Sequence, residues 1–255
     1  MQRHRLDRSP FISAGVRTRS PRGRTTACWA TVGLALCLSA CDSNEDSDDP
    51  TPSREGAQQG GAGSAGGDKA LTRTIMTEAG PIVGETAREG DKTILVFRGV
   101  PYAAPTGGES RWKPPQPLVP WKEARPATEW GDRCPQGEST LSSPGSTSED
   151  CLNLNVLTPA TKASERLPVM VFFHGGGLSV GTGNSPTYCH TALPAQGVVV
   201  VTVNSRLGAF GYFSHPALAK ESDKDSSGNY GTLDLIESLR WVQKNIEAFG
   251  VTPRT

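Results

Sequence analysis

The 255-residue sequence has no net charge, because 26 Lys and Arg balance 26 Asp and Glu. Without a basic excess, nothing argues for nucleic acid as a partner. Four histidines and six cysteines fall at no spacing suited to a metal. The glycine-rich segments lack the lysine of a phosphate-binding loop. No metal and no cofactor are therefore expected. The apolar stretch from about Ala27 to Ala40 is too short to cross a membrane as a helix.

The neutral total hides an asymmetry. Arg3, Arg5, Arg8, Arg17, Arg19, Arg22 and Arg24 precede the apolar stretch, and Asp42, Glu45, Asp46, Asp48 and Asp49 follow it. Basic, apolar, then small residues is the layout of a secretory signal, placed at 1–40. Leu38-Ser39-Ala40-Cys41 resembles a bacterial lipobox, in which Cys41 becomes the lipid-modified first residue. The expectation is an exported, membrane-anchored lipoprotein on the periplasmic side or cell surface, or a secreted protein if Cys41 is not lipidated. Residues 41–70 are Asp, Ser, Gly, Gln and Pro with almost nothing apolar. They cannot bury enough surface to offset ordering entropy and read as a disordered tether. Ser64, between glycines in that tether, has no flanking strand and is set aside. An exported chain tolerates disulfides. Cys134 and Cys151 enclose 16 residues in a candidate closed loop, which leaves Cys189 as a buried thiol.

The folded part is expected over 71–255. Short strands are predicted at Thr74–Glu85 and Lys92–Arg98, with a polar turn at Glu89-Gly90-Asp91. Others follow at Asn153–Leu157, Leu167–Phe173 and Gly197–Asn204, the last two apolar enough to be buried on both faces. Leu233, Ile236, Leu239, Val242, Ile246 and Phe249 recur at spacings of three and four, predicting a helix with one apolar stripe toward the core. Strand, crossover, strand, helix is the order of an α/β sheet.

The strand Val169–Phe173 opens onto His174-Gly175-Gly176-Gly177. Three glycines can present bare backbone N–H groups to a developing oxyanion, with no side chain in the way. This is the form of the oxyanion loop of lipases and esterases. Further blocks sharpen the match: Phe97-Arg98-Gly99-Val100-Pro101-Tyr102-Ala103-Ala104-Pro105, Ser148-Glu149-Asp150-Cys151-Leu152-Asn153-Leu154-Asn155-Val156, Asn204-Ser205-Arg206-Leu207-Gly208-Ala209-Phe210-Gly211, Gly228-Asn229-Tyr230-Gly231-Thr232-Leu233-Asp234 and Trp241 through Gly250. Together, in this order, they resemble type-B carboxylesterases, the family of cholinesterases and para-nitrobenzyl esterases.

That resemblance implies the N-terminal portion of an α/β-hydrolase fold. It also implies hydrolysis of a small-molecule carboxylic ester through a Ser-Glu-His triad and an acyl-enzyme. It makes Gly176 and Gly177 oxyanion donors, His174 a support of their loop rather than the base, and Cys134–Cys151 a disulfide. Leu178 departs from the aromatic residue common after the glycines.

The nucleophile is the missing part. Gly177-Leu178-Ser179-Val180-Gly181 matches Gly-x-Ser-x-Gly in form, but a nucleophile elbow needs a strand before it and a helix after it. Ser179 follows the glycine loop and precedes another loop. His190 and His215 are expected to be structural, as are Glu149 and Asp150. After Phe249-Gly250 the family continues Gly-Asp-Pro, where this sequence reads Val251-Thr252-Pro253. Restoring one G turns GTG-ACC-CCN into GGT-GAC-CCN, so a one-nucleotide deletion is the expectation. The 255-residue product is then expected to lack the triad, to be inactive, and to be insoluble or degraded. The rival reading is a non-catalytic, cholinesterase-like adhesion module.

Overall fold

The computed structural model describes residues 70–138 and 146–251. The signal region, Cys41, Ser64 and nearly all of the tether lie outside the described residues. The described residues build two sheets. The smaller one has the order β1-β2-β5: Thr74–Met76 (β1) is antiparallel to Pro81–Val83 (β2), and β2 runs parallel to Arg125–Pro126 (β5). The larger one has the order β3-β4-β6-β8-β7 and comprises Glu85–Glu89 (β3), Lys92–Pro101 (β4), Asn153–Thr158 (β6), Val199–Val203 (β8) and Val169–Phe173 (β7). Its strands are antiparallel except for the parallel pair β8 and β7.

The predicted strand over Thr74–Glu85 divides into three. Thr77 folds back to form a turn, its hydroxyl donating 2.6 Å to the Gly80 carbonyl, and Gly84 separates β2 from β3. The turn after β3 behaves as its residues predict. Glu89 pairs with Lys92, leaving Gly90 and Asp91 as a two-residue hairpin loop with Gly90 at φ +60°, the conformation that glycine adopts at no steric cost. β4 outruns its prediction because a bulge lies inside it. The register with β6 shifts between Phe97 and Val100, Gly99 takes φ +61°, and its N–H donates 3.0 Å to Asn155 Oδ1. A bulge bends a strand without ending it.

The core sits on β4, β6 and β8. Every residue of β6 and of β8 is buried, and Phe97 meets Phe249 edge to face at 5.2 Å. β7 does not fit the prediction of a strand buried on both faces. It pairs with β8 on one side only among the described residues, and Met170 and Phe173 are exposed. Among the described residues its other edge is touched at its start alone, where Leu167 and Val251 form a parallel bridge and Leu167 N–H donates 2.9 Å to the Gly250 carbonyl.

The helical prediction needs a second correction. Among the described residues three α-helices follow β8: Gly208–Tyr212 (α1), Pro216–Lys220 (α2) and Tyr230–Asn245 (α3), with a 3-10 turn at Ile246–Phe249. The buried face of α3 is Tyr230, Gly231, Asp234, Ser238, Trp241, Val242 and Asn245. Ile236 and Leu239, members of the predicted stripe, are 41% and 45% exposed. Polar side chains took the inward face because each has a partner there. Asp234 is ion-paired with Arg206, Ser238 donates 2.7 Å to the Leu235 carbonyl, and the Asn245 carboxamide accepts from Glu78 N–H at 2.7 Å. A buried polar group that is fully hydrogen-bonded is tolerated in a core.

Candidate oxyanion site

The site is built where β7 ends. A parallel edge strand delivers its C-terminal residue, Phe173, directly into His174-Gly175-Gly176-Gly177. The loop then closes on itself. Gly176 takes φ +121° and Gly177 φ +61°, and the Gly176 carbonyl accepts from both Ser179 N–H and Val180 N–H at 3.2 Å. A Cβ at Gly176 would overlap the Val180 carbonyl oxygen, so only glycine fits there. A Cβ at Gly175 or Gly177 would meet nothing within 4 Å, so those backbones face open space. Among the described residues, neither Gly176 nor Gly177 N–H donates a hydrogen bond. Two unengaged donors in a tight, exposed turn are what a developing negative charge requires.

His174 packs behind this turn. Its Nδ1 lies 2.8 Å from the Gly175 carbonyl. Burial lowers its pKa, opposed in part by that hydrogen bond, so the ring is neutral at pH 7 and Nδ1–H donates. This arrangement holds the loop, and among the described residues the ring hydrogen-bonds no serine. Leu178, at φ +61°, is a bulky side chain in a left-handed backbone, a strained conformation kept where the surroundings impose it. Its carbonyl accepts from Gly208 N–H at 2.7 Å at the start of α1. Phe173, His174, Gly175, Leu178, Ser205, Leu207, Tyr212 and Leu235 line a small cavity of about 30 Å³ beside the loop.

Two polar assemblies that the sequence reading missed fix the loop to the sheet. The first centres on Asn204, at the end of β8. Its Oδ1 accepts from Thr182 Oγ1 at 2.9 Å and Gly183 N–H at 2.8 Å, and its Nδ2 donates 3.0 Å to Asn153 Oδ1. Asn155 donates to Asn184 Oδ1 at 3.1 Å and to Thr202 Oγ1 at 3.0 Å. Tyr102 donates 2.6 Å to the Asn204 carbonyl, and burial with the Asp234 charge raises its pKa. The second is Arg206 with Asp234. Arg206 Nε and Nη2 donate 2.9 and 2.7 Å to the two carboxylate oxygens, and the Arg206 N–H adds a third bond at 3.0 Å. It pins α3 beneath the segment that holds Leu178.

The remaining candidates stand apart. Ser179 is exposed, donates 3.2 Å to the Gly177 carbonyl, and has no strand before it. His190 Nδ1 accepts from Ala192 N–H at 3.3 Å. His215 caps α2, accepting from Ala217 N–H at 3.1 Å. Among the described residues no serine or cysteine hydrogen-bonds a histidine ring. Glu149 pairs with Arg111, which lowers its pKa, while burial and the Asp132 charge raise that of Asp150. Cys134 and Cys151 are bonded, with Cα atoms 5.0 Å apart, and Cys189 is a buried free thiol whose pKa burial pushes up to about 11.

Similarity to known proteins agrees with this geometry. The profile of the carboxylesterase family matches residues 71–255. A fumonisin B1 esterase of Sphingopyxis macrogoltabida is 44% identical over 69% of this chain and 32% of its own length. A para-nitrobenzyl esterase of Bacillus subtilis (strain 168) is 42% identical over 70% of this chain and 36% of its own. Among solved structures, a thermophilic para-nitrobenzyl esterase matches with TM-score 0.63 at 40% identity, covering 71% of this chain and 37% of the other. The juvenile hormone esterase of Manduca sexta matches with TM-score 0.63 at 36% identity, covering 72% and 34%. These neighbours have the α/β-hydrolase fold, and the chain spans about a third of their length.

Proposed function

Because the chain belongs to the carboxylesterase family, we propose that residues 71–251 form the oxyanion-holding part of a hydrolase of carboxylic esters. The attacking serine, its histidine base and the acid then lie outside these 255 residues. The observation that carries this reading is the meeting of two features on one sheet edge. β7 ends in the glycine turn, and Val251 is already bridged in parallel to Leu167 at the start of the same edge. Phe173 lies six residues past Leu167, so a strand continued from Val251 would come level with the glycine turn about six residues on. A nucleophile leaving that strand would stand beside the free Gly176 and Gly177 N–H groups.

In this scheme the serine oxygen attacks the ester carbonyl while the histidine takes its proton. The carbonyl electrons move onto oxygen, held by the two glycine amides and by the N–H after the serine. The histidine returns the proton to the departing alcohol, and water then releases the acid from the acyl-enzyme. The 255-residue polypeptide alone would supply only the amides. The sequence around Cys41 supports a further part of the proposal, an exported protein carrying a lipid on that cysteine. Labelling with a palmitate analogue in cells should mark the protein and fail for Cys41→Ser.

The test of the function is hydrolysis of p-nitrophenyl acetate by a polypeptide that continues past Val251 with the coding sequence downstream. A serine elbow and turnover are expected. A longer, folded and inert product without such a serine would instead favour a non-catalytic adhesion module.

A further inference from the structure

Gln136 lies two residues after Cys134 and reaches across to the far side of the glycine turn. Its Oε1 accepts from Gly181 N–H at 2.8 Å, and its Nε2 donates 2.8 Å to the Gly181 carbonyl. Both polar atoms of one carboxamide therefore hold both backbone groups of one glycine. The same Nε2 lies 3.1 Å from the Cys134 carbonyl, which fixes the side chain against its own loop.

Gly181 is a consequential place to grip. It takes φ +118°, and a Cβ there would run into His174 Nδ1 and the Gly175 carbonyl oxygen. The Gly181 backbone is therefore packed directly against the start of the glycine turn. Its neighbour Val180 presents the carbonyl that fills the space over Gly176. Whatever fixes Gly181 fixes the wall against which Gly175 and Gly176 rest. On the other side, Gln136 belongs to a segment anchored to β6. Cys134 is bonded to Cys151, two residues before that strand, and Asn153 Nδ2 donates 2.9 Å to the Asp132 carbonyl.

We propose that Gln136 is a positioning residue that carries the constraint of the Cys134–Cys151 bond into the oxyanion turn, so that the disulfide and the glycine amides are mechanically coupled. The proposal deepens the reading of Gly176 and Gly177 as oxyanion donors. It adds a residue, and a dependence on the oxidation state of a bond remote from the reacting atoms. A two-point amide grip fixes orientation as well as distance, which a single hydrogen bond does not. Gln136→Glu keeps acceptance from Gly181 N–H and loses donation to its carbonyl. Gln136→Met keeps the length of the side chain and loses both.

The experiment has two arms. In the first, peptide-level hydrogen exchange is followed in a folded polypeptide continued past Val251, at micromolar concentration. Gln136→Met should speed exchange of the Ser179, Val180 and Gly181 amides by at least about tenfold, Gln136→Glu should do so less, and the β8 amides should not change. Cys134→Ala/Cys151→Ala should give the same local acceleration, and adding Gln136→Met to it should give little more, because both act through one connection. Unchanged exchange at 179–181 in Gln136→Met, or fully additive effects of the two changes, would overturn the proposal.

The second arm uses the longer, active polypeptide. There Gln136→Met should lower kcat about tenfold or more with KM nearly unchanged, and Gln136→Glu should recover part of the loss. If the longer protein shows no turnover at all, the esterase reading fails while the exchange arm still decides the coupling. If it turns over and Gln136→Met is as fast as wild type, the coupling is mechanically irrelevant and the proposal falls.

Discussion

Replacing Asp234 with alanine removes the acceptor for three hydrogen bonds from Arg206: two from the guanidinium and one from its backbone N–H. The pair is deeply buried, with side-chain exposure of 3% for Arg206 and 0% for Asp234. In Asp234→Ala the guanidinium keeps the Lys113 carbonyl at 2.8 Å and the face of Tyr230 at 5.5 Å, neither of which offsets its charge. Removing one member of a buried ion pair costs about 3–5 kcal/mol. For a domain of this size each kcal/mol shifts the melting temperature by roughly 2–4 °C, so a fall of roughly 6–20 °C is expected. The exposed pair of Lys244 with Glu78, 3.1 Å apart, provides the control, because such pairs contribute about 0–1 kcal/mol. Thermal melts and urea titrations of Asp234→Ala, Glu78→Ala and Arg206→Met/Asp234→Leu make the comparison. The double variant removes both charges at once and should recover much of the lost stability. A loss below about 1 kcal/mol for Asp234→Ala, or a double variant worse than the single, would refute the argument that an uncompensated buried charge dominates at this site.

Other consequences can be measured in the same way. In a polypeptide continued past Val251 that turns over p-nitrophenyl acetate, Gly176→Ala forces its Cβ into the Val180 carbonyl and should lower kcat about a hundred- to a thousandfold, the usual effect of losing an oxyanion donor. Gly177→Ala meets no atom within 4 Å and carries only the left-handed strain of about 1–2 kcal/mol, so its melting temperature should fall by only a few degrees. Reducing Cys134–Cys151, which closes a 17-residue separation, should cost about 3 kcal/mol, read as a drop in melting temperature with dithiothreitol that is absent in Cys134→Ala/Cys151→Ala. Cys189 is held neutral by burial with a pKa of about 11 against an ordinary 9.0, so the folded state binds the extra proton between those values. Stability should therefore fall as pH rises from about 9 to about 11, and Cys189→Ala should flatten that limb of the melting curve.

Much of the fold was legible in local pattern. The valine run Val199–Val203 is a fully buried central strand, and Gly90-Asp91 is the hairpin turn that its residues demand. The glycine turn was legible for the same reason: its conformation is written in residues next to one another. What failed was what depends on distant partners. The stripe through Ile236 and Leu239 assumed that apolar residues face inward, but α3 turns Asp234, Ser238 and Asn245 to the core; Ser238 uses the Leu235 carbonyl of its own helix, while the partners of Asp234 and Asn245, Arg206 and Glu78, lie far off in the chain. β7 looked buried because its five residues are all apolar. Exposure of Met170 and Phe173 is set by the absence of a second neighbour along most of the strand among the described residues, which composition does not encode. The Asn153, Asn155, Asn184 and Asn204 assembly was invisible because asparagine in a sequence more often marks a turn than a core network.

The most direct measurement is release of p-nitrophenol from p-nitrophenyl acetate by purified 255-residue polypeptide, with contaminating hydrolases removed. The account predicts a rate no higher than buffer, since amides that hold negative charge do nothing without an oxygen to attack. Steady turnover that disappears in Ser179→Ala would contradict it.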